Sequence, residues 1–292
     1  MKRSLAAASL AAVLALTACS AVPSAQSVLG GAQTAPLRQG TDVLGGIPLV
    51  HLTLSLFDAP LPTAGAKVNI AFSEVALISS TGAVVPCATY PNDHVVDLLS
   101  LQNAAWNIDG NIPAGSYTGI RFFIDLKQSN IQFGPLKLPL AFPNGPTSMT
   151  ADASLALFAA GGPPTNVTAD FNVLQSFTIN GTTVSMHPTI VAAVNAGTVA
   201  GKIVNADNKP VSEATVQAID ASGNVANVSV TGSDGKFRIH ALAAGTYTIQ
   251  VLNSYGAGAS AVTASGSDAG ASPSATATVR AGATTNLPTI TD

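Results

Sequence analysis

Ile112-Pro113-Ala114-Gly115-Ser116-Tyr117-Thr118 reads IPAGSYT, and the chain writes the same device again as LAAGTYT over Leu242-Ala243-Ala244-Gly245-Thr246-Tyr247-Thr248. Both copies run into an extended apolar stretch. The glycine supplies a tight backbone position. The tyrosine packs its ring and turns its hydroxyl to nearby backbone, as a corner tyrosine does where a chain enters a strand of a β-sandwich. Stacking of these tyrosines on a sugar is the functional alternative. The repetition of one device in two places asks only for a folding explanation, so the chain is read as two β-sandwich domains in tandem.

Around each copy the period is two. In LVHLTLSLFDAPL, Val50, Leu52, Leu54 and Leu56 fall on one parity, and His51, Thr53 and Ser55 on the other. That alternation is a half-buried strand, stopped at Asp58-Ala59-Pro60. AKVNIAFSEVALISSTGAVVPCA holds two more strands about a Ser79-Ser80-Thr81-Gly82 turn. HVVDLLSLQNAAW fits a short helical turn or a strand, while GSYTGIRFFIDL and LKLPLAF are extended. Asn180-Gly181 separates two further strands and is a strong hairpin signal. A boundary falls near 195–200. Beyond it strands are expected at about 198–204, 213–220, 225–231, 236–240 and 246–252, joined by Asn-Lys-Pro, Ser-Gly-Asn and Ser-Asp-Gly turns. Residues 254–275 are low in complexity and read as a long loop, and TATVRAGATTNLPTI offers a closing strand pair.

Composition bounds the function. Charged residues are 9% of the 292, hydrophobic residues 47%, and the formal net charge is −3. Such a chain builds cores and carries no basic footprint, so nucleic acid is not an expected partner. At the start, Lys2 and Arg3 precede an apolar run from Leu5 to Ala18. The run is shorter than the ~20 residues a bilayer span needs and has the length of a signal-peptide core. Its end, Leu16-Thr17-Ala18-Cys19, resembles a bacterial lipobox. The resemblance implies that the Cys19 thiol is acylated with diacylglycerol and that Cys19 becomes the lipidated N-terminus. At about 0.8 kcal/mol per buried CH₂, two or three chains anchor a domain firmly. The same resemblance implies that Ser20, a residue other than Asp after the cysteine, is compatible with sorting to an outer membrane where the organism has one. Residues 20–46 lack periodicity and read as a tether spanning on the order of 30 Å.

With Cys19 so assigned, Cys87 is the one cysteine left in the mature domains, so neither an internal disulfide nor a C-x-x-C motif is available. It reads as a small half-buried residue on a strand rather than a nucleophile. The best cluster for chemistry is NDHVVD, with Asp93, His94 and Asp97 able to bind a divalent cation or to act in acid–base work. Against this, a carboxylate accepting backbone hydrogen bonds suffices for Asp97, and a metal needs three or four converging ligands. His51, His187 and His240 are isolated. Asp234-Gly235 lacks the spacing of a calcium loop and reads as a hairpin turn.

Two family resemblances follow from these residues. Residues 198–252 resemble the carboxypeptidase regulatory-like family through Gly201, Pro210-Val211, Ala214, Val216, Gly223, Thr231, Asp234-Gly235, Phe237, Leu242, Gly245, Tyr247 and Val251. This implies a transthyretin-like, seven-stranded sandwich and no chemistry. Residues 48–194 resemble the domain of unknown function 4382 through Asp58-Ala59-Pro60, Asp97-Leu98-Leu99-Ser100-Leu101-Gln102-Asn103, Ile112 to Tyr117 with Ile120-Arg121, Asp170-Phe171, Ser176 and His187-Pro188. That family implies an exported β-domain and no assigned reaction.

The expectation is therefore mostly β: a signal peptide (1–18), a lipidated Cys19 with its tether (19–46), and sandwiches over 47–195 and 196–292. The expected function is non-enzymatic, in the cell envelope, with no cofactor, no metal and no catalytic residue. The membrane is the partner through Cys19, with a polysaccharide, peptide or envelope protein outside. The competing expectation is an envelope hydrolase or metal-binding protein with its site at Asp93, His94 and Asp97.

Overall fold

The computed structural model describes residues 43–44, 46–58, 66–102, 104–142, 148–157, 165–180, 183–252 and 273–292. The signal segment, Cys19, most of the tether, the turn after Asp58 and nearly all of the 254–275 loop lie outside them. In chain order the strands are β1 (Val43–Leu44), β2 (Ile47–Asp58), β3 (Ala66–Ser79), β4 (Val84–Asp97), β5 (Trp106–Pro113), β6 (Gly115–Phe133), β7 (Leu136–Ala141), β8 (Ser148–Leu157), β9 (Thr165–Phe171), β10 (Phe177–Asn180), β11 (Thr183–Met186) and β12 (Ile190–Val194). They continue with β13 (Gly197–Val204), β14 (Thr215–Ile219), β15 (Val225–Val230), β16 (Lys236–Leu242), β17 (Gly245–Leu252), β18 (Ser274–Val279), β19 (Thr284–Asn286) and β20 (Ile290–Thr291). Among the described residues no helix is long and apolar enough to cross a membrane.

The alternation of β2 does what it foretells. Leu52, Leu54 and Leu56 are fully buried, while the opposite parity carries a polar ladder. Thr53 donates to Asp109 (2.6 Å) and Ser55 to Asn107 (2.7 Å) across the β2–β5 pair. One sheet runs β1–β2–β9–β12, with β5 also on β2, and the β2–β9 pair is parallel. The second runs β10–β11–β7–β6–β3–β4, with β8 on β6. Their inner faces share one core that includes Leu52, Leu54, Ile70, Phe72, Leu77, Ile120, Phe122, Val167 and Phe171. Each such side chain contributes about 1.5–3 kcal/mol by leaving water.

A separate core lies between two four-stranded sheets, β16–β13–β19 with β20 on β13, and β15–β14–β17–β18. Val199, Ile203, Phe237 and Ile239 face Val216, Ala218, Ile249, Val251 and Val279. Gly201 pairs with Phe237, and its missing side chain makes the room: a Cβ there would stand 2.6 Å from the Phe237 ring. The fold is mostly β, with two sandwiches in tandem.

Both copies of the opening motif are corners. The Tyr117 hydroxyl donates to the Pro113 carbonyl (2.6 Å), and the Tyr247 hydroxyl to the Ala243 carbonyl (2.9 Å). Both rings are buried, so neither offers a face to a sugar.

Two details differ from the sequence expectation, and a third settles what it left open. The closing strands do not pair with each other: β18 pairs with β17, while β19 crosses to lie parallel to β13 in the other sheet. A single turn of helix, α1 (Val173–Ser176), follows β9, its N-cap Asn172 accepting from the Gln175 N–H (3.1 Å). Ser176 closes the same corner, donating to the Asn172 carbonyl (2.6 Å) and accepting from the Thr189 N–H (2.9 Å). HVVDLLSLQ divides, 94–97 finishing β4 and Leu98–Gln102 forming a 3₁₀ turn whose Leu98 and Leu101 are buried.

Candidate functional site

The β3 strand is flanked on both edges by wide bulges. On the β4 side, Phe72 pairs with His94 and Glu74 with Thr89, so the four residues 90–93 stand opposite Ser73 alone. On the β6 side, Asn69 pairs with Asn130 and Ala71 with Asp125, so 126–129 stand opposite Ile70. Extra residues of this kind bend a strand and re-aim its side chains. Buried Ser129 pins the second bulge, accepting from the Ala71 N–H (2.9 Å) and donating to the Asp125 carbonyl (2.7 Å). In the first, Asp93 takes a left-handed conformation (φ 50°), uncommon outside glycine.

The two bulges meet: Gln128 Nε2 donates to Asp93 Oδ2 at 2.5 Å. The Asp93 carboxyl is held above the ordinary carboxylate range by partial loss of water and by the Asp125 carboxyl, which shares a hydrogen bond with it and repels its charge. Around the same bulge stands an aromatic cluster. The exposed His94 ring stacks on Trp106 (centroids 4.9 Å apart, planes 20° apart), and Tyr90 lies 5.4 Å from His94 and 5.8 Å from Trp106. Trp106 leans inward on Phe72 at 5.0 Å, which ties the cluster to the core.

Asp93, His94 and Asp97 make three different sets of contacts. Asp93 belongs to the bulge contact and His94 to the aromatic stack. Asp97 accepts the Val68 N–H at 3.1 Å, the backbone role that its sequence context suggests. Among the described residues no three His, Cys, Asp or Glu side chains gather to hold a metal ion. Cys87 is buried on β4, and a Cβ on Gly110 would lie 2.7 Å from its Sγ and 2.9 Å from its carbonyl oxygen, so a side chain at Gly110 would collide with Cys87. His51 lies 3.6 Å from Asp109 on the exposed face, and Asp234 accepts from Lys236 in its turn. The sequence reading named Asp93 and His94 but not Tyr90, Trp106, Asp125 and Gln128, because only the strand register brings these four to that part of β4.

Residues 50–188 match the family model of the domain of unknown function (DUF4382), and residues 198–291 that of the carboxypeptidase regulatory-like domain. No curated protein matches the chain. Among solved structures it is similar to the Bacillus anthracis TIE protein (12% identity, 82% of this chain and 33% of that one, TM-score 0.22). It is similar also to the shaft pilin SpaA of Lactobacillus rhamnosus GG (10%, 84% and 97%, 0.24) and to the minor pilin of Streptococcus agalactiae (11%, 82% and 96%, 0.24). The chain spans about a third of the length of the TIE protein. The chain thus carries a segment that matches the domain of unknown function 4382, followed by one that matches the carboxypeptidase regulatory-like domain.

Proposed function

We propose that this is a non-enzymatic protein of the cell envelope, held to a membrane by lipid on Cys19, and that the double bulge beside β3 is a binding face for saccharide. The lipobox-like start supports the anchor. The observation that carries the binding face is the meeting of the two bulges at Asp93 and Gln128 beside the Tyr90–His94–Trp106 stack. Sugars are recognised by aromatic ring faces, which cover C–H surfaces, together with carboxylates and carboxamides, which bond hydroxyls. The bulges supply the polar groups and the stack supplies the apolar ones. A hydrolase needs an acid and a base placed on one reacting atom, and Asp93, His94 and Asp97 are committed to three separate contacts.

Trp106 is the only tryptophan of the chain, so its fluorescence reports on this face directly. Oligosaccharides released from the host envelope are expected to shift that emission saturably. The surface change His94→Ala should weaken the binding about tenfold, equivalent to about 1.4 kcal/mol, without lowering the melting temperature. Binding that the substitution leaves untouched would remove the face from the proposal.

A further inference from the structure

Where the two sandwiches meet, polar groups are buried that neither core requires. The Phe57 ring, on β2, stacks on the His240 ring of β16 with centroids 4.0 Å apart and planes 10° apart. Phe57 pairs in register with Asp170 on β9, which puts both on the same face of the first domain's sheet. Asp170 is 1% exposed, and its Oδ2 accepts from the Asn227 side chain on β15 at 2.7 Å. The same Asn227 amide donates to the His240 carbonyl at 2.9 Å. His240 is 4% exposed. Its Nδ1 lies 3.1 Å from the Thr198 hydroxyl, while its Nε2 and the Asp170 Oδ1 are buried without a hydrogen-bond partner.

Neither group is built to be charged here. A buried carboxylate is stable when two or three donors reach it, and Asp170 has one. A buried imidazolium needs a neighbouring acid or strong acceptors at both nitrogens; among the described residues no carboxylate pairs with the His240 ring, and only the Gln102 backbone favours its charged form. We propose that the joint is a latch closed by a neutral acid–imidazole pair, Asp170 and His240, whose opposite proton demands cancel, so that the two domains stay locked across a wide range of external acidity.

Closing the latch takes a proton up at Asp170 and gives one off at His240. Burial raises the Asp170 carboxyl to about 7, opposed by the Asn227 bond, and lowers His240 to about 4, with the like charge of Arg238 adding to the shift and the Gln102 backbone opposing it. For Asp170 the folded value lies above the ordinary one, so its contribution is full at low pH and is lost as pH rises towards 7. For His240 it lies below, so its contribution is present above the ordinary value and is lost as pH falls towards 4. Between those limits the closed and open joints hold the same number of protons, and the closed population is flat. The elements packed against Asp170 bring few other ionisable groups near it. On β2, Asp58 pairs with Phe171 on the interior face and His51 sits beside Asp109 at the far end. Strand β12 carries none, β15 contributes Asn227, and β16 contributes Arg238 and His240, with Lys236 held on Asp234.

The test is hydrogen exchange of the full chain between pH 5 and pH 8, corrected for intrinsic rates and read at the Val228 amide, which donates to the Asn227 side chain. Wild-type opening should change less than tenfold. Asp170→Asn, which leaves only His240 to titrate, should open more than tenfold less at pH 8 than at pH 5. His240→Phe, which keeps the ring stack, should open more than tenfold more. A steep wild-type profile, or two flat single variants, would overturn the latch. If a variant fails to fold, nuclear magnetic resonance titration of the wild-type Asp170 carboxyl and His240 ring decides: ordinary values for both refute it.

Discussion

Phe72→Ala is expected to destabilise the first domain by about 3–5 kcal/mol, the range for removing a fully buried aromatic ring. Phe72 is fully buried at the centre of β3, 5.9 Å from the Phe122 ring and 5.0 Å from Trp106, on the strand that both bulges flank. Its loss leaves a cavity beneath the only tryptophan, and the core opposite, made by β2 and β9, cannot collapse into it without breaking their register. Denaturant titration followed by Trp106 emission measures the change. A loss under about 1 kcal/mol would mean that β3 is not the spine of this domain.

Gly235→Ala should strike the second domain almost as hard. Gly235 has φ 73° in the turn between β15 and β16, and a Cβ there would lie 2.4 Å from the Ile203 carbonyl oxygen. That oxygen already accepts from the Val211 N–H (3.1 Å), and the Gly235 carbonyl accepts from the Ile203 N–H (2.9 Å), so the substitution pushes on a backbone held from both sides. The left-handed conformation costs an alanine about 1–2 kcal/mol, and the clash adds about 1–3 more by forcing backbone to move. Gly223 is the control: it has φ 83° with nothing within 4 Å of its missing Cβ. Gly223→Ala should therefore show the conformational part alone. Equal losses at the two sites, read from the exchange of β13 and β16 amides, would show that contact with Ile203 does not matter.

What was legible in the chain was whatever depends on neighbours in sequence. The two-residue period of Val50 to Leu56, the turns at Ser79–Gly82 and Asp234-Gly235, and the paired tyrosine corners each follow from local geometry and burial. The five strands expected between 198 and 252 stand within a few residues of their places for the same reason. What was not legible depends on register. No local pattern says that 90–93 and 126–129 bulge out on either side of β3, or that Gln128 then reaches Asp93. The departure of β19 from β18 is decided by the edge of β13, which accepts β19 and β20 in parallel. The same holds for the joint: Asp170, a residue of the family pattern, and Asn227, one among many asparagines, are joined only by the packing of two domains.

The proposed anchor holds both sandwiches in the cell envelope on a lipid at Cys19, and the direct measurement is the intact mass and N-terminal peptide of the protein extracted from membranes of its host. The expected result is a mature chain that begins at Cys19 with diacylglycerol attached, and a Cys19→Ala variant found in the soluble fraction or as an uncleaved precursor. A membrane-bound, cleaved Cys19→Ala protein, or a wild-type chain that starts elsewhere without lipid, would contradict it.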